Sequence, residues 1–254
     1  MIRVLKFGSS VLDSERDLPV AVAAVERELA VGHRVVAVVS AFGRTTDELL
    51  ARAEQLGLPP DNEATAALLA SGETVASALL ALALHHAGVP ALLLDPAQAG
   101  LSTSGARLAA EPRAVDAERI RDALAERVAV LPGFAGRDAA GATTLLGRGG
   151  SDLTAIFLAR ALGGGCVLFK DTDGIYSADP NSDPAARRFA YASYPTVTAV
   201  ARAAVQERAV RFAAARGVEF FVTTATGGEG TWIGPGPDRL APKAAECTAW
   251  EGAA

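Results

Sequence analysis

The 254-residue chain has only two cysteines and three histidines, and its 24 basic side chains are outnumbered by 29 acidic ones. Each scarcity removes a class of protein. Cys166 and Cys247 are too few for a disulfide framework; the first falls in an apolar, strand-like run and the second in a polar tail. His33, His85 and His86 lack metal-ligand spacing, and the last two sit late in a helical pattern where they complement the helix dipole. A net charge of −5 argues against nucleic acid or an anionic membrane as the main partner, and for a small anionic ligand in a local basic pocket. The opening residues MIRVLKFG read as a strand and not a leader, and no apolar run approaches the roughly 20 residues of a membrane span. The chain is accordingly expected to be soluble and cytoplasmic. It has no internal repeat.

Half of the residues are hydrophobic, which suits one large α/β domain or two closely packed lobes. Apolar runs at Ile2–Phe7, Arg34–Val39, Val89–Leu94, Val128–Leu131, Cys166–Phe169 and Val218–Val222 read as strands. Helical patterns lie between them. One starts near Pro19 with Asp17 as its cap, one has capping-box spacing at Thr45 and Glu48, and an alanine-rich one follows Pro59-Pro60. Another is opened by Ser71-Gly72-Glu73 and runs through Ala87, one covers Asp116–Glu126, and one or two cover Val197–Arg216. Strands alternating with helices predict a parallel sheet covered on both faces. From Gly234 the chain is rich in Pro, Gly and Ala and reads as a tail.

The stretch TTLLGRGGSDLTAIFLARALGGGCVLFKDTDGIYSADP, Thr143 to Pro180, carries the densest chemical signal. A Gly-rich turn runs into Ser151-Asp152, which read as caps for an apolar helix over Leu153–Leu162; Gly163 to Gly165 stop it, and the strand after them ends in Lys170-Asp171-Thr172-Asp173-Gly174. That strand delivers two carboxylates to a sheet's C-terminal edge, where open α/β sheets bind ligands. A glycine turn opening a helix suits an anion, because free N–H groups and the helix dipole point at it. Taken alone, the turn reads equally well as loop punctuation with Asp152 as a plain N-cap. Lys6, at the end of the first strand before Gly8-Ser9-Ser10, is by itself either a surface lysine or a cation that meets a transferred phosphoryl group. Glu73 in a first turn is also ordinary dipole chemistry.

LGRGGSDLTA followed by DTDGIYSADP resembles the paired signatures of the aspartate kinases within the amino acid kinase family. Lys6-Phe7-Gly8, SAFGRTTDEL (40 to 49), SGE (71 to 73) and PGFAGRDAAG (132 to 141) extend the resemblance over residues 2 to about 190. It implies a three-layer α/β/α sandwich with a mainly parallel open sheet over residues 1–234, an N-terminal acid-binding lobe, a C-terminal nucleotide-binding lobe, and a tail at 235–254. The implied reaction is ATP-dependent phosphorylation of a carboxylate, the β-carboxylate of L-aspartate giving 4-phospho-L-aspartate, with Mg²⁺. On the same resemblance, Lys6 and Asp171 are catalytic. Lys6, Gly8, Ser9, Lys170, Asp171, Asp173, Gly174, Tyr176 and Asp179 meet nucleotide, Asp171 and Asp173 organising Mg²⁺. Ser40, Thr46, Glu73, Arg148, Gly149, Ser151 and Asp152 meet the acid, with Glu73 on the ammonium and Arg148 on the α-carboxylate.

The sequence also departs from that pattern. The Gly-Ser-Ser turn is shorter than the usual Gly-Gly-Thr-Ser and looks more like acetylglutamate and glutamate kinases. Lys170 stands for a usual Thr, Asn181 for a frequent Arg, and ARAAVQERAV (201 to 210) for a segment with a Lys and a His-Pro. Two alternatives stay open: another acid kinase of the superfamily, and a non-catalytic nucleotide- or anion-binding homologue. The expected partner is a small amino acid, with no nucleic acid or membrane, in a homo-oligomer. Regulatory ACT modules are expected to be absent, because the chain leaves no stretch for them.

Overall fold

A computed structural model of the chain describes residues 1–57, 61–201 and 204–242. It begins with β1 (Ile2–Phe7), a 3-10 turn (Glu15–Asp17), α1 (Leu18–Ala30), β2 (Arg34–Val39), α2 (Thr45–Gln55), α3 (Glu63–His86) and β3 (Ala91–Leu93). Next come β4 (Ser102–Ser104), β5 (Glu111–Ala114), α4 (Ala117–Ala123), β6 (Val128–Pro132), β7 (Ala135–Arg137), β8 (Thr143–Leu145), α5 (Gly150–Leu162) and β9 (Gly165–Lys170). The chain continues through β10 (Phe189–Ser193), α6 (Tyr194–Val200), α7 (Glu207–Arg216), β11 (Phe220–Thr224), β12 (Gly230–Gly234) and β13 (Arg239–Leu240). Nine strands form one sheet in the order β13-β10-β12-β11-β9-β1-β2-β6-β3, and four form a small sheet, β5-β4-β7-β8.

The six strands legible in the sequence are six consecutive strands of the large sheet, β11-β9-β1-β2-β6-β3, all paired in parallel. Their near-continuous apolar character follows from burial on both faces. Side chains alternate between two cores. Val36 and Val38 point to the side covered by α4, α5 and α7, whereas Val35, Ala37 and Val39 point to the side covered by α1 and α3. In β1, Val4 joins the first core and Leu5 and Phe7 the second, where Phe7 meets Phe169 with ring centroids 5.1 Å apart. Antiparallel β12 and β13 extend the sheet on one side. The tail expected from residue 235 thus contributes the edge strand β13, and residues 243–254, including Cys247, lie outside the described residues.

Several local readings need correction. The alanine-rich helix and the helix opened by Ser71-Gly72-Glu73 are one 24-residue helix, α3, capped by Asn62, whose side chain accepts the Thr65 N–H at 2.8 Å. Gly72 lies inside it because a Cβ there would stand 3.0 Å from Ala41 Cβ and 3.2 Å from Thr45 Cγ2. By length and composition α3 could cross a membrane, contrary to the expectation of no such run; here it is a core helix, packed on β6, β3, α1 and α2. Thr45 is the first helical residue of α2 and Arg44 the cap, with no side-chain capping bond. Asp17 caps nothing in α1; its carboxylate accepts the Ser14 N–H at 2.8 Å, closing the preceding turn. Asp152 lies in the first turn of α5, and left-handed Gly149 (φ 75°) holds the cap position.

Candidate functional site

β1 and β9 run side by side in parallel, with Phe7 opposite Phe169, so Lys6 and Lys170 emerge at the same sheet edge. The first turn of α5 faces them. Asp152 Oδ1 lies 2.7 Å from Lys6 Nζ and its Oδ2 lies 2.8 Å from Lys170 Nζ, and all three side chains are buried. Two cations and one anion leave this cluster a net charge of +1 in a low-dielectric setting, where an arriving anion is strongly favoured. Burial lowers the Lys6 ammonium to about 8, against the pull of Asp152 upward and with the push of Lys170 downward. Burial alone would raise the Asp152 carboxyl; Lys170 and Lys6 outweigh it and hold the group ionised.

Beside this cluster, Gly8 leaves an opening that a side chain would fill: a Cβ there would stand 2.4 Å from Lys6 Nζ. The turn is closed by N–H groups of Val11 and Leu12 donating to Gly8 O. Ser9 and Ser10 are exposed at the rim. This is a cradle shaped for backbone and lysine contacts to an anion.

All of these groups line one cavity of about 690 Å³. Its second pole is Glu73, brought inward by α3 and only 3% exposed. Glu73 Oε1 accepts the Ala41 N–H at 3.3 Å, whereas Oε2 is buried without a hydrogen-bond partner. Burial raises the Glu73 carboxyl to about 7, against the lowering influence of the Ala41 N–H, its own N–H and Lys6. A buried carboxylate oxygen with no partner is costly unless a ligand donor meets it. Arg148, exposed, lines the same cavity, as do Ser40, Thr46, Gly149 and Ser151.

Of the residues expected at the site, Lys6, Gly8, Ser9, Ser40, Thr46, Glu73, Arg148, Gly149, Ser151, Asp152, Lys170 and Asp171 line this cavity together. Asp173, Gly174, Tyr176 and Asp179 do not. Asp173 accepts the Tyr176 hydroxyl at 2.8 Å and lies 3.6 Å from Arg188 Nε, while Asp179 accepts the Asn181 N–H at 2.9 Å within its own turn. These side chains shape the loop after β9. Among the described residues no three His, Cys, Asp or Glu side chains converge on a metal position. Mg²⁺ commonly keeps several waters and relies on one or two carboxylates plus substrate phosphates, so the donor set suits an ion that arrives with a nucleotide and meets Asp171.

Two contributors escaped the sequence reading. Phe134 lines the cavity with φ 65°, and it is the non-glycine residue with positive φ among those described. Its N–H is held by Thr154 Oγ1 at 3.2 Å and its carbonyl by the Leu146 N–H at 2.7 Å; such strain persists where surroundings over-determine it, often at functional sites. No sequence signal marks a phenylalanine for that conformation. The second is the start of α7. Gln206 packs against Gly149, where an added Cβ would collide with Gln206 Cβ, and Arg208 donates to Leu146 O, to Ala109 O at 2.9 Å and to Ala110 O at 2.7 Å. The turn that carries Arg148 is therefore clamped from another element.

Comparison with known proteins shows the family and the fold. The model of the amino acid kinase family matches residues 1–223. The chain is 39% identical over 220 residues to an aspartokinase of Thermus thermophilus, covering 85% of this chain and 54% of that protein. It thus spans about half the length of the curated relatives it matches. Among solved structures, an aspartate kinase from Synechocystis superposes with a TM-score of 0.83 at 30% identity, over 93% of this chain and 40% of the other. Aspartokinase III of E. coli, solved in complex with aspartate and ADP, shares the fold with a TM-score of 0.74 at 23% identity, over 93% of this chain and 65% of the other.

Proposed function

The chain belongs to the amino acid kinase family, and on that premise we propose that it transfers the γ-phosphoryl group of ATP to the β-carboxylate of L-aspartate, giving 4-phospho-L-aspartate. The observation that carries this reading is the single cavity that joins the Lys6–Asp152–Lys170 cluster to the half-satisfied carboxylate of Glu73 and the free fork of Arg148. One end suits a transferring phosphoryl group. The other suits a zwitterionic amino acid.

Phosphoryl transfer asks little covalent work of a protein and much positioning and charge neutralisation. Lys6 and Lys170 flank the position where charge spreads over the equatorial oxygens, and Asp152 fixes both ammonium groups. Lys170 supplies the second cation where aspartate kinases usually carry a threonine. Gly8, Ser9 and Gly149, which line the same cavity, cradle phosphate oxygens. Arg148 pairs bidentately with the α-carboxylate and Glu73 accepts the α-ammonium, which turns the β-carboxylate toward the lysines. Asp171 would meet a Mg²⁺ carried by the nucleotide, and that ion would supply further charge neutralisation at the phosphates.

Within this reading the acid binds the N-terminal part of the chain and the nucleotide the loops after β9 and β11. The test is ATP and Mg²⁺ with a panel of acceptor acids, acyl phosphates being trapped with hydroxylamine. Aspartate should give the hydroxamate and stoichiometric ADP. ADP release with another acid only would move the substrate, and no release with any acid would make the protein a binder.

A further inference from the structure

Between Leu69 and Leu80, α3 carries three hydroxyl side chains, and they are not used alike. Ser71 Oγ donates to Leu68 O at 2.7 Å and Thr74 Oγ1 to Ala70 O at 3.0 Å, the usual way for a hydroxyl inside a helix to satisfy itself. Ser77 is fully buried, and its hydroxyl makes no such bond. Among the described residues, the buried polar side-chain atoms without a hydrogen-bond partner are Arg3 Nε, Asp152 Oδ1, Glu73 Oε2 and Ser77 Oγ. The first two are held in ion pairs, Arg3 Nε 3.4 Å from Glu28 Oε2 and Asp152 Oδ1 2.7 Å from Lys6 Nζ. The other two belong to residues one turn apart on the buried face of the same helix.

Each oxygen alone would be a cost without a return, and their neighbourhood supplies the return. Residues four apart on a helix have Cβ atoms roughly 5–6 Å from each other, the span of two hydrogen bonds of about 2.8 Å that meet at one oxygen atom. A buried water occupies such a place when the polar groups lack other partners and there is room. Between Glu73 and Leu80 the buried positions of α3 are Ala76 and Ser77, both small, whereas Leu69 and Leu80 fill the turns on either side. Glu73 stands on the wall of the active-site cavity, which gives water a way in. The Ser77 hydroxyl then donates to the water and the water to Glu73 Oε2. A carboxylate oxygen accepts more than one bond, so the same oxygen still serves a ligand ammonium.

We infer that Ser77 is a positioning residue for Glu73: through one buried water its hydroxyl holds the carboxylate oxygen that Ala41 leaves free, and so keeps that carboxylate charged and in place at the cavity wall. The kinetic consequence rests on the reading of Glu73 as the partner of the acid's ammonium; the contact itself does not. The charged side chains that share the cavity with Glu73 are Lys6, Lys170, Asp152, Asp171, Arg148, Asp47 and Glu54. Of these, Lys6 acts on its titration, and the core residues that α1, β2, β3, β6 and β8 bring to α3 are apolar. Burial keeps the Glu73 carboxyl at about 7, where the loss of one donor is measurable.

The experiment is carbon-13 NMR of the full chain with labelled glutamate carboxyls, the Glu73 signal being the one lost in Glu73→Gln. Removing a donor from the ionised form raises a carboxyl pKa, so in Ser77→Ala the midpoint of Glu73 should move from about 7 to about 8 with neither acid nor nucleotide present. Relative to wild type, kcat/KM for aspartate should then fall about fivefold at pH 7 and return to within about 20% at pH 9, with KM for ATP unchanged. The ratio to wild type removes the titration of Lys6 from the comparison. Melting curves verify the fold of the variant, which loses a hydroxyl that bonds to no protein atom. A high-resolution crystal structure should show one ordered water between the two oxygens. A Glu73 midpoint unmoved in Ser77→Ala, or a map without that water, would overturn the inference. A raised midpoint without the kinetic change would keep the contact and remove Glu73 from the acid site.

Discussion

Lys6 combines two properties that seldom coexist: it is buried, and its charge is wanted. Desolvation lowers its pKa to about 8 while Asp152 keeps it protonated below that value. If the ammonium neutralises the transferring phosphoryl group, kcat/KM for nucleotide should fall as pH rises through about 8, because the free enzyme loses the cation there. Lys6→Met should lower kcat by a factor on the order of 100 or more with Tm and nucleotide affinity largely kept, since Asp152 retains Lys170. Lys6→Arg should move the alkaline limb upward. A flat profile to pH 10, or near wild-type turnover by the methionine variant, would remove Lys6 from the chemistry. Glu73 is the complementary case. Its folded pKa of about 7 exceeds the ordinary 4.5, so between those values the folded state binds more protons than the unfolded one, and its contribution to stability declines as pH rises through them. Glu73→Gln should therefore be more stable than wild type at pH 8 by about 1–3 kcal/mol, with the difference vanishing toward pH 4.5. The same change should erode a preference for aspartate over N-acetylglutamate of roughly 100-fold in kcat/KM, since the acetylated acid has no ammonium to meet the carboxylate. Arg148→Lys should harm aspartate use although the charge is kept, because the fork is lost. Melting curves at two pH values and kinetics with both acids check these together.

At the scale of elements, what could be read from the sequence divides by the distance over which the cause acts. The six parallel strands were legible because burial on both faces writes an unbroken apolar run into each. The small sheet of β4, β5, β7 and β8 was not, since STS, EPRA, AGR and TTL are too short and polar to stand out. Asp152 read as a cap because local sequence shows the helix start and hides two lysines that arrive from strands 146 residues before it and 18 after it. Arg208 was invisible for the same reason, its carbonyl partners lying 62 to 99 residues away in sequence. That clamp has a measurable consequence. Arg208→Ala leaves the Leu146, Ala109 and Ala110 carbonyls without their donor, a loss of about 1–3 kcal/mol for a group of this kind. The Gly149 turn then loses its fixed place under α7, and Arg148 moves with it. KM for the acid should rise by about 10-fold while KM for ATP stays within about twofold. Equal changes in both constants would mean that Arg208 supports the fold alone.

Across the whole molecule, the Lys6–Asp152–Lys170 cluster sits on the central strand pair of the large sheet, with two differently built halves beside it. On one side the loop after β2, α2 and α3 present Ser40, Thr46 and Glu73 in turn to the cavity. On the other, the loop after β9 carries Asp173, Tyr176 and Asp179, whose side chains hold that loop together and stand outside the cavity wall. If acid and nucleotide take opposite halves, each should slow backbone hydrogen exchange in its own segment before the other arrives, because ligand contacts suppress local opening. Aspartate alone should protect residues 40–47 and 146–150. A non-hydrolysable ATP analogue with Mg²⁺ should protect residues 171–188 and leave 40–47 unchanged. Together the two should protect the Gly8 turn more than either does singly, since that turn lies where the reacting groups meet beside Lys6. Each result is read by mass spectrometry on peptides from these segments. Protection of 40–47 by the analogue alone, or of 171–188 by aspartate alone, would show that the division of labour between the halves is drawn in the wrong place.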